Sequence, residues 1–287
     1  MQNMMTLTGY LAPWQFSFAW LLACAGTAWL YLRGVRRLRS AGERVSPWQR
    51  LACLTGIAAI YVVTQTHYDY LALYMFFSHR LQHLVLHHVA PFLIALAAPW
   101  PVIAAGMPGW CRDFLLAPLT RNRLARAIYA FVQHPVVAPL LFVGLIYFWL
   151  VPSIHFEAML SRRLYDLMNW SMLVDGLLFW WLVLDPRPSR PDGPSLRFGI
   201  RVLLLIVIMP PQIALGAYIA LSHAELFDIY DICGRAWPLS PMTDQQIGGL
   251  LTWIPGAMMS VVAGLVLLRR LLSGQAGGAP RAATQRV

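Results

Sequence analysis

Three histidines inside an apolar segment are spaced to share one face of a helix. His79, His83 and His87 recur every four residues, so on an α-helix they form a stripe about 12 Å long. An imidazole at membrane depth usually faces other helices, where it binds a metal or cofactor or makes an interhelical hydrogen bond. We interpret the stripe as a metal site. Imidazole suits copper, zinc and haem iron alike, so the stripe does not select the metal.

Other polar residues could complete this site. His88 points about 100° away from His87 on the same helix. His134, which precedes Pro135, could approach His87 or His88 from another segment and act as a second axial ligand. Alternatively, it could have a structural role at a helix kink. Asp175 lies in the middle of an apolar segment, where a carboxyl group is either functional or hydrogen-bonded to a neighbouring helix. These residues are candidates for a supporting role.

Residues near the ends of the apolar segments could form an entry site for a cation. His67 and Asp244 are predicted near the outer surface, where imidazole and carboxylate groups would attract a cation or simply be solvated. Met258 carries a thioether, which suits Cu(I), although methionine is also common in membrane packing. We expect these three residues to support the histidine site.

The elements that must position these residues are transmembrane helices. Of the 287 residues, 59% are hydrophobic and 12% are charged, which leaves too few polar side chains to cover a water-facing surface. Seven apolar runs are long enough to cross a bilayer, at residues 13–32, 49–66, 73–98, 127–150, 165–184, 201–221 and 247–268. We predict an all-α polytopic transmembrane helix bundle of seven spans over residues 1–273, and a disordered cytoplasmic tail over 274–287.

The net charge of +10 could suggest a nucleic-acid partner, but the distribution of arginines indicates topology instead. Eighteen of the 22 arginines fall between spans one and two, three and four, or five and six, or follow span seven. Positive residues concentrate on the cytoplasmic side of a membrane. The N-terminus is therefore predicted outside and the C-terminus in the cytoplasm, with a lipid bilayer and no nucleic acid as the chain's surroundings.

Sequence motifs for other chemistries are missing. The four cysteines form no close pair, so neither a disulfide framework nor a thiolate metal site is predicted. No dinucleotide-binding, Walker A, zinc-protease or serine-hydrolase motif has a convincing spacing. The sequence therefore favours a metal-handling factor over an enzyme.

Three motifs resemble those of the CtaG-type cytochrome c oxidase assembly proteins, a multi-pass membrane family. They are Ser-His-Arg-Leu-Gln-His at 78–83, Gly-Leu-Leu-Phe-Trp at 176–180, and Asp-Gln-Gln-Ile-Gly-Gly at 244–249 followed by Trp-Ile-Pro-Gly at 253–256. The resemblance covers residues from about 61 to 272. It implies about seven helices in a bacterial cytoplasmic (inner) membrane and a role in the biogenesis of haem–copper oxidases. It also implies copper as cargo, an oxidase subunit or a periplasmic copper chaperone as partner, and Asp244 and Gln245 as supporting residues.

Two departures from the family bear on the ligand set. The family often has a histidine after the tryptophan that ends span four and another before the fifth-span Gly-Leu-Leu-Phe, where this chain has Leu150 and Asn169. Conversely, His87 and His88 stand where methionine or apolar residues are common. The resemblance therefore supports the first two histidines of the stripe and leaves the complete ligand set open.

Three functions follow as hypotheses. The chain could handle copper for oxidase assembly without catalysis. It could instead bind haem b between His83 and His134 as a redox or haem-processing protein, or use Asp175 and the histidine line as a proton relay in a transporter. The first is our prediction, and metal analysis with optical spectra of the purified protein would separate the three.

Overall fold

The computed structural model describes residues 15–187 and 196–277, which fold into helices joined by short loops. The helices are α1 (Phe18–Ser40), α2 (Pro47–Gln65), α3 (Tyr68–Tyr74), α4 (Phe76–Leu84), α5 (Ala90–Leu96), α6 (Trp100–Gly106), α7 (Gly109–Cys111), α8 (Ala117–Arg121), α9 (Arg123–Val132), α10 (Val137–Trp149), α11 (Pro152–Leu160), α12 (Arg162–Leu184), α13 (Phe198–Leu221), α14 (Ile229–Cys233) and α15 (Pro241–Gly277). Two π-helical turns lie at Val85–Val89 and Arg112–Leu116. The all-α prediction is confirmed. Of the predicted tail, residues 278–287 lie outside the described residues.

Four of the described helices are long and apolar enough to cross a membrane, namely α1, α12, α13 and α15. Two bent pairs bring the number to six if each pair is one span: Phe76–Leu96 with α6, bent by 76°, and α9 with α10, bent by 74°. Helix α2, which matches the second predicted span, begins with the polar residues Gln49 and Arg50 and is not among these candidates. The described residues therefore give four to six candidate spans, whereas the sequence predicted seven.

Proline explains where one predicted span is divided. The sequence predicted a single helix over 127–150, but the structure bends it between α9 and α10. Pro135 lies in this break, and proline can neither donate a backbone hydrogen bond nor fit against the preceding helical turn. Proline acts differently at Pro47, which occupies the first turn of α2 behind a capping box formed by Ser46 and Gln49.

The segment that carries the histidines is enclosed by other helices. Helix α4 packs against α15, the π-helical turn Val85–Val89 packs against α12, and α5 packs against α2 and α12. Buried aromatic rings fill part of the adjoining core, where Phe142 stacks on Phe179 and both contact Trp180. Polar groups on the histidine segment therefore face protein, which is the arrangement in which ionisable residues are tolerated at membrane depth.

Candidate functional site

The first two histidines of the stripe form a close pair. The Nε2 atoms of His79 and His83 lie 3.1 Å apart, and both side chains are buried, with at most 1% of their surface exposed. One turn of α-helix separates the residues, so the predicted spacing does bring their rings to the same face. The pair therefore brings two imidazole nitrogens within hydrogen-bond distance of each other.

The partners of His83 define where its proton lies. Arg80 Nη1 is 3.2 Å from His83 Nδ1, and because a guanidinium group can only donate, Nδ1 must accept. The network therefore assigns the proton of neutral His83 to Nε2. This N–H lies 3.1 Å from both His79 Nε2 and Asn169 Oδ1, the two acceptors available to it.

His155 adds a third imidazole beside this pair. Its ring centroid is 5.1 Å from that of His79, and its side chain is buried. Nδ1 donates to the carbonyl oxygen of Trp149 at 3.1 Å, and Nε2 accepts from the hydroxyl of Tyr230 at 2.9 Å. Burial, together with the charge of Arg80, lowers the pKa of His155 to about 3. The ring is therefore neutral at physiological pH, the state that a metal ligand requires.

His87 does not join the pair. The π-helical turn Val85–Val89 interrupts the helix at this point, and His87 Nε2 lies 3.0 Å from Asp175 Oδ2 in a buried contact. The turn has a cause in the sequence: Pro91 lacks the N–H that would bond to the carbonyl of residue 87 in an α-helix. Trp180 Nε1 donates to this carbonyl instead, at 3.1 Å.

The fifth-span motif positions the π-helical turn. A Cβ atom on Gly176 would lie 2.5 Å from the carbonyl oxygen of His87, so only glycine allows α12 to approach this closely. Gly176 and Trp180 are the first and last residues of Gly-Leu-Leu-Phe-Trp, and both contact the same carbonyl group. The motif therefore has a packing role around His87.

His88 lies beside His87, with ring centroids 5.1 Å apart, and both rings contact Phe142. The ring of His88 packs edge-on against Phe142 and Trp180. The side chains of His88 and Gln212 both lie next to Gly256. Both side chains are buried, and the amide atoms of Gln212 have no hydrogen-bond partner among the described residues.

Asp244 caps the histidine helix from a distance in sequence. Its carboxylate accepts from the backbone N–H groups of Phe76 and Phe77, at 3.0 and 2.7 Å, and pairs with Arg235. Helix α4 has no capping side chain of its own at Met75, so Asp244 supplies the acceptor that a helix N-terminus needs. The residue predicted near a cation entry site thus positions α4.

Gln245 fixes the adjoining loop. Its Oε1 accepts from the N–H of Leu226 at 2.7 Å, and its Nε2 donates to the carbonyls of Ala224 and Ile219 at 3.0 and 3.3 Å. All of the polar atoms of this side chain are used by backbone groups. The Asp-Gln motif therefore holds α4, α13 and the loop after α13 at the N-terminal end of α15.

A second buried polar group lies at the start of the histidine segment. Asp69 Oδ1 accepts from the Tyr165 hydroxyl at 2.8 Å and from Gln82 Nε2 at 3.1 Å, while Arg162 approaches Asp69 Oδ2 at 3.8 Å. Burial raises the pKa of Asp69 to about 6, although these partners oppose the rise. Tyr165 also contacts the ring of His79 edge-on, so this group adjoins the histidine pair.

Three other predicted supporting residues lie apart from the pair. His67 stacks on Tyr70 at the start of α3. His134 is exposed at the bend before α10, where its Nδ1 accepts from the N–H of Val136. Met258 is 55% exposed on α15. The structure does not bring these residues to the site, and no described contact supports a haem ligand pair of His83 and His134.

The described residues do not provide a complete metal site in their present arrangement. Within residues 15–187 and 196–277, no three His, Cys, Asp or Glu side chains are grouped so that they could hold a metal ion. The close pair supplies two nitrogens, and a third donor requires a local rearrangement of His155 or Asn169. Metal binding by His79, His83 and His87 stays a prediction.

Three residues of the site were missed or misplaced by reasoning from the sequence. Arg80 was considered only as one of the four arginines outside the predicted cytoplasmic set, but it is buried against His83. His155 was predicted on an outer loop, either at an entry site for a cation or solvated, and Asn169 was noted only as a departure from the family. Arg80 and His83 are three residues apart on one helix, and this spacing could have indicated their contact. No local sequence signal indicates the contacts of His155 and Asn169.

Comparison with known proteins assigns the family. A family model described as cytochrome c oxidase caa3 assembly factor (Caa3_CtaG) matches residues 29–273, and the chain belongs to this family. Proteins described as uncharacterized in Mycobacterium bovis and Mycobacterium tuberculosis are each 27% identical over 86% of this chain and 38% of their own length. One from Mycobacterium leprae is 27% identical over 78% of this chain and 34% of its own. The chain thus spans less than two fifths of these relatives, and no solved structure matches it.

Proposed function

We propose that this protein is an integral membrane assembly factor for a haem–copper cytochrome c oxidase and that it binds copper as cargo at the His79–His83 pair. Membership of the assembly-factor family supports the role in oxidase assembly. The apolar helices support a location in a bilayer, which we assign to the bacterial cytoplasmic membrane. The chain acts without catalysis and passes copper between a periplasmic chaperone and an oxidase subunit.

The observation that carries the copper proposal is the distance between the two imidazole nitrogens. Metal–imidazole bonds are about 2.0 to 2.1 Å long. Two nitrogens 3.1 Å apart would therefore subtend an angle of about 100° at a shared metal ion. This angle is about 10° below the tetrahedral value, so the distance between the two nitrogens is compatible with a shared ion.

Copper binding requires one change at His83. A metal on Nε2 needs that nitrogen free of its proton, which moves to Nδ1 if the ring stays neutral. Arg80 Nη1 now donates to Nδ1, and two donors cannot face each other there. Copper binding should therefore break the hydrogen bond between Arg80 and His83. The Nδ1–H group of the metal-bound His83 would then need an acceptor in place of the Arg80 donor.

Two groups can supply the third donor. His155 already directs Nδ1–H at a backbone carbonyl, as metal-bound histidines usually do, and its Nε2 would have to exchange Tyr230 for the metal. Asn169 Oδ1 is the other polar atom within 3.1 Å of His83 Nε2. Copper(I) prefers nitrogen and sulfur to amide oxygen, so we assign the third position to His155.

Copper content of the purified full chain tests the proposal. The wild type loaded with Cu(I) and washed should retain about one ion per chain, and the His79→Ala/His83→Ala double variant should retain none. His134→Ala is the matched control, since it removes an exposed imidazole of the same chain. Equal copper retention by the wild type and the double variant would overturn the proposed site. Optical spectra of the same preparations would reveal haem as the alternative ligand.

A further inference from the structure

An apolar groove runs between α1 and α2. Its lining extends from Leu21 to Ala28 on the first helix and from Leu54 to Val62 on the second, a length of about 12 Å. The groove has a volume of about 320 Å³. It stays open because small residues such as Ala28 and the exposed Ala58 stand where larger side chains would fill it.

Two polar groups without a partner continue the groove at one end. Tyr31 follows Ala28 by three residues and Arg50 precedes Leu54 by four, so each lies one helical turn beyond the lining and on the same face. Tyr31 is fully buried, and its hydroxyl has no hydrogen-bond partner among the described residues. Nε of Arg50 is likewise buried without a partner there. The guanidinium lies close enough to the hydroxyl to act on it electrostatically.

These two groups can share one anionic oxygen. A guanidinium group only donates and a hydroxyl can also donate, so a single acceptor between them would satisfy both. In the part of the chain that the structure describes, no Asp or Glu oxygen forms an ion pair with Arg50. Six arginines occur from Arg33 to Arg50, with Glu43 as the only acidic residue between them. The charge at this end therefore favours an anion from outside the chain.

Two tryptophans indicate the depth of the polar end in the bilayer. Trp29 of α1 and Trp48 of α2 lie near the polar pair in sequence and are 52% and 61% exposed. The guanidinium of Arg33 lies over the Trp29 ring, 5.2 Å from its centroid. Exposed tryptophans and arginines concentrate at the level of the lipid head groups. The apolar groove thus leads from this level towards the hydrocarbon core.

We propose that the groove binds one anionic phospholipid, with its phosphate at Arg50 and Tyr31 and one acyl chain between α1 and α2. A water molecule takes about 30 Å³ of liquid volume, and a methylene group is of similar size, so the groove holds about ten methylene groups of a single chain. A helix about 10 Å across would need about three times this volume over the same length. The size therefore favours a lipid chain over a helix of a partner. This inference does not depend on copper binding.

Native mass spectrometry of the full chain, delipidated in detergent, tests the lipid site. The probes are phosphatidylglycerol and phosphatidylcholine with identical palmitoyl and oleoyl chains, and glycerol phosphate as a head group without chains. Phosphatidylglycerol should give a saturable adduct of one lipid per chain. Phosphatidylcholine should bind about fivefold more weakly, because its head group carries no net charge. Glycerol phosphate should give no adduct, since it cannot use the groove.

Variants separate the head-group site from the groove. Arg50→Gln should weaken phosphatidylglycerol binding about tenfold and Tyr31→Phe about fivefold, whereas Arg36→Gln, at an exposed position of α1, should leave it unchanged. Ala58→Phe should abolish the adduct by filling the groove, and Ala19→Phe, at an exposed position of α1 outside the lining, should preserve it. Where Arg50→Gln does not fold, Ala58→Phe decides the question.

Four results would overturn the proposal. They are equal binding of the two phospholipids by the wild type, an undiminished phosphatidylglycerol adduct in Arg50→Gln or Ala58→Phe, and a glycerol phosphate adduct as stable as that of the lipid, which would identify a site for free phosphate. The fourth is a lipid-free dimer that Ala58→Phe dissociates, which would show that the groove accommodates a second copy of this chain.

Discussion

Replacing Asp244 by asparagine tests whether this residue positions the histidine helix. Asp244 is fully buried, accepts from two backbone N–H groups at the start of α4 and pairs with Arg235. Asparagine has nearly the same shape and keeps one acceptor oxygen, so the variant removes the charge and one acceptor while preserving volume. The loss then reports the electrostatic cap and the ion pair, with little contribution from packing.

The expected magnitude follows from the buried ion pair and the cap. Removing one partner of a buried pair costs about 3 to 5 kcal/mol, and loss of a helix cap costs about 1 kcal/mol. Arg235 is 11% exposed and has Asp231 and Glu225 as further partners, so it is not left alone. We therefore expect Asp244→Asn to lower the free energy of unfolding by about 3 kcal/mol.

The assay is denaturant unfolding of the detergent-purified chain, combined with a double-mutant cycle to Arg235→Met. The cycle should give a coupling energy of about 1 to 3 kcal/mol between the two side chains. Asp231→Asn is the matched control, because it also pairs with Arg235 but is 42% exposed, and it should cost less than about 1 kcal/mol.

Two results would refute the reasoning about Asp244. A loss of stability no larger than that of Asp231→Asn would show that the cap and the buried pair contribute little. Loss of copper with unchanged stability would instead assign Asp244 to the cargo site. If Asp244 only positions α4, Asp244→Asn must lower the stability of the chain. Any loss of copper binding must then come from unfolding, so binding should recover at a lower temperature at which the variant is folded.

Three further predictions follow from individual contacts. Asn169→His should place an imidazole beside His83 and tighten Cu(I) binding about tenfold, measured by competition with a chelator. Because burial raises the pKa of Asp69 to about 6 and the unfolded value is about 3.9, the folded state keeps this proton longer. As the pH rises from about 4 to 6, the free energy of unfolding of the wild type should therefore fall by up to about 3 kcal/mol relative to that of Asp69→Asn. Denaturant titrations at each pH measure this difference. Gly176→Ala should cost about 1 to 3 kcal/mol in the same assay, since its Cβ would meet His87 O, whereas Gly144→Ala has open space and should not destabilise.

The sequence predicted which segments are helical far better than it predicted where the helices are broken. Long apolar runs identify helices because only a helix satisfies its own backbone in hydrocarbon, and the all-α fold follows. The breaks depend on local exceptions: Pro135 divides one predicted span, and α3 ends just before α4 at Met75, whose backbone is extended. Such breaks need partners from other helices, and a hydropathy pattern contains no information on those partners.

The histidine site was predictable only within one helical turn. The four-residue spacing of His79 and His83 fixes their relative positions, and their close pairing follows from helix geometry. The next step of the stripe fails because of Pro91, which removes the N–H that an α-helix would direct at residue 87. That signal was present in the sequence, but its consequence, a turn that directs His87 to Asp175, also needed Gly176 and Trp180 from α12.

The departures from the family pattern have a spatial explanation. The motif resemblance leads to the expectation of a histidine at the position of Leu150, directly after Trp149; in this chain His155 donates to the carbonyl of Trp149, and its ring centroid is 5.1 Å from that of His79. His155 thus places an imidazole next to the backbone that precedes Leu150. Asn169, the other departure, has its Oδ1 3.1 Å from His83 Nε2, so this position borders the pair directly. An imidazole on His155 and an amide on Asn169, both beside the His79–His83 pair, are the two groups that a ligand site with a third donor would need, and the Asn169→His variant tests whether that position can supply the donor.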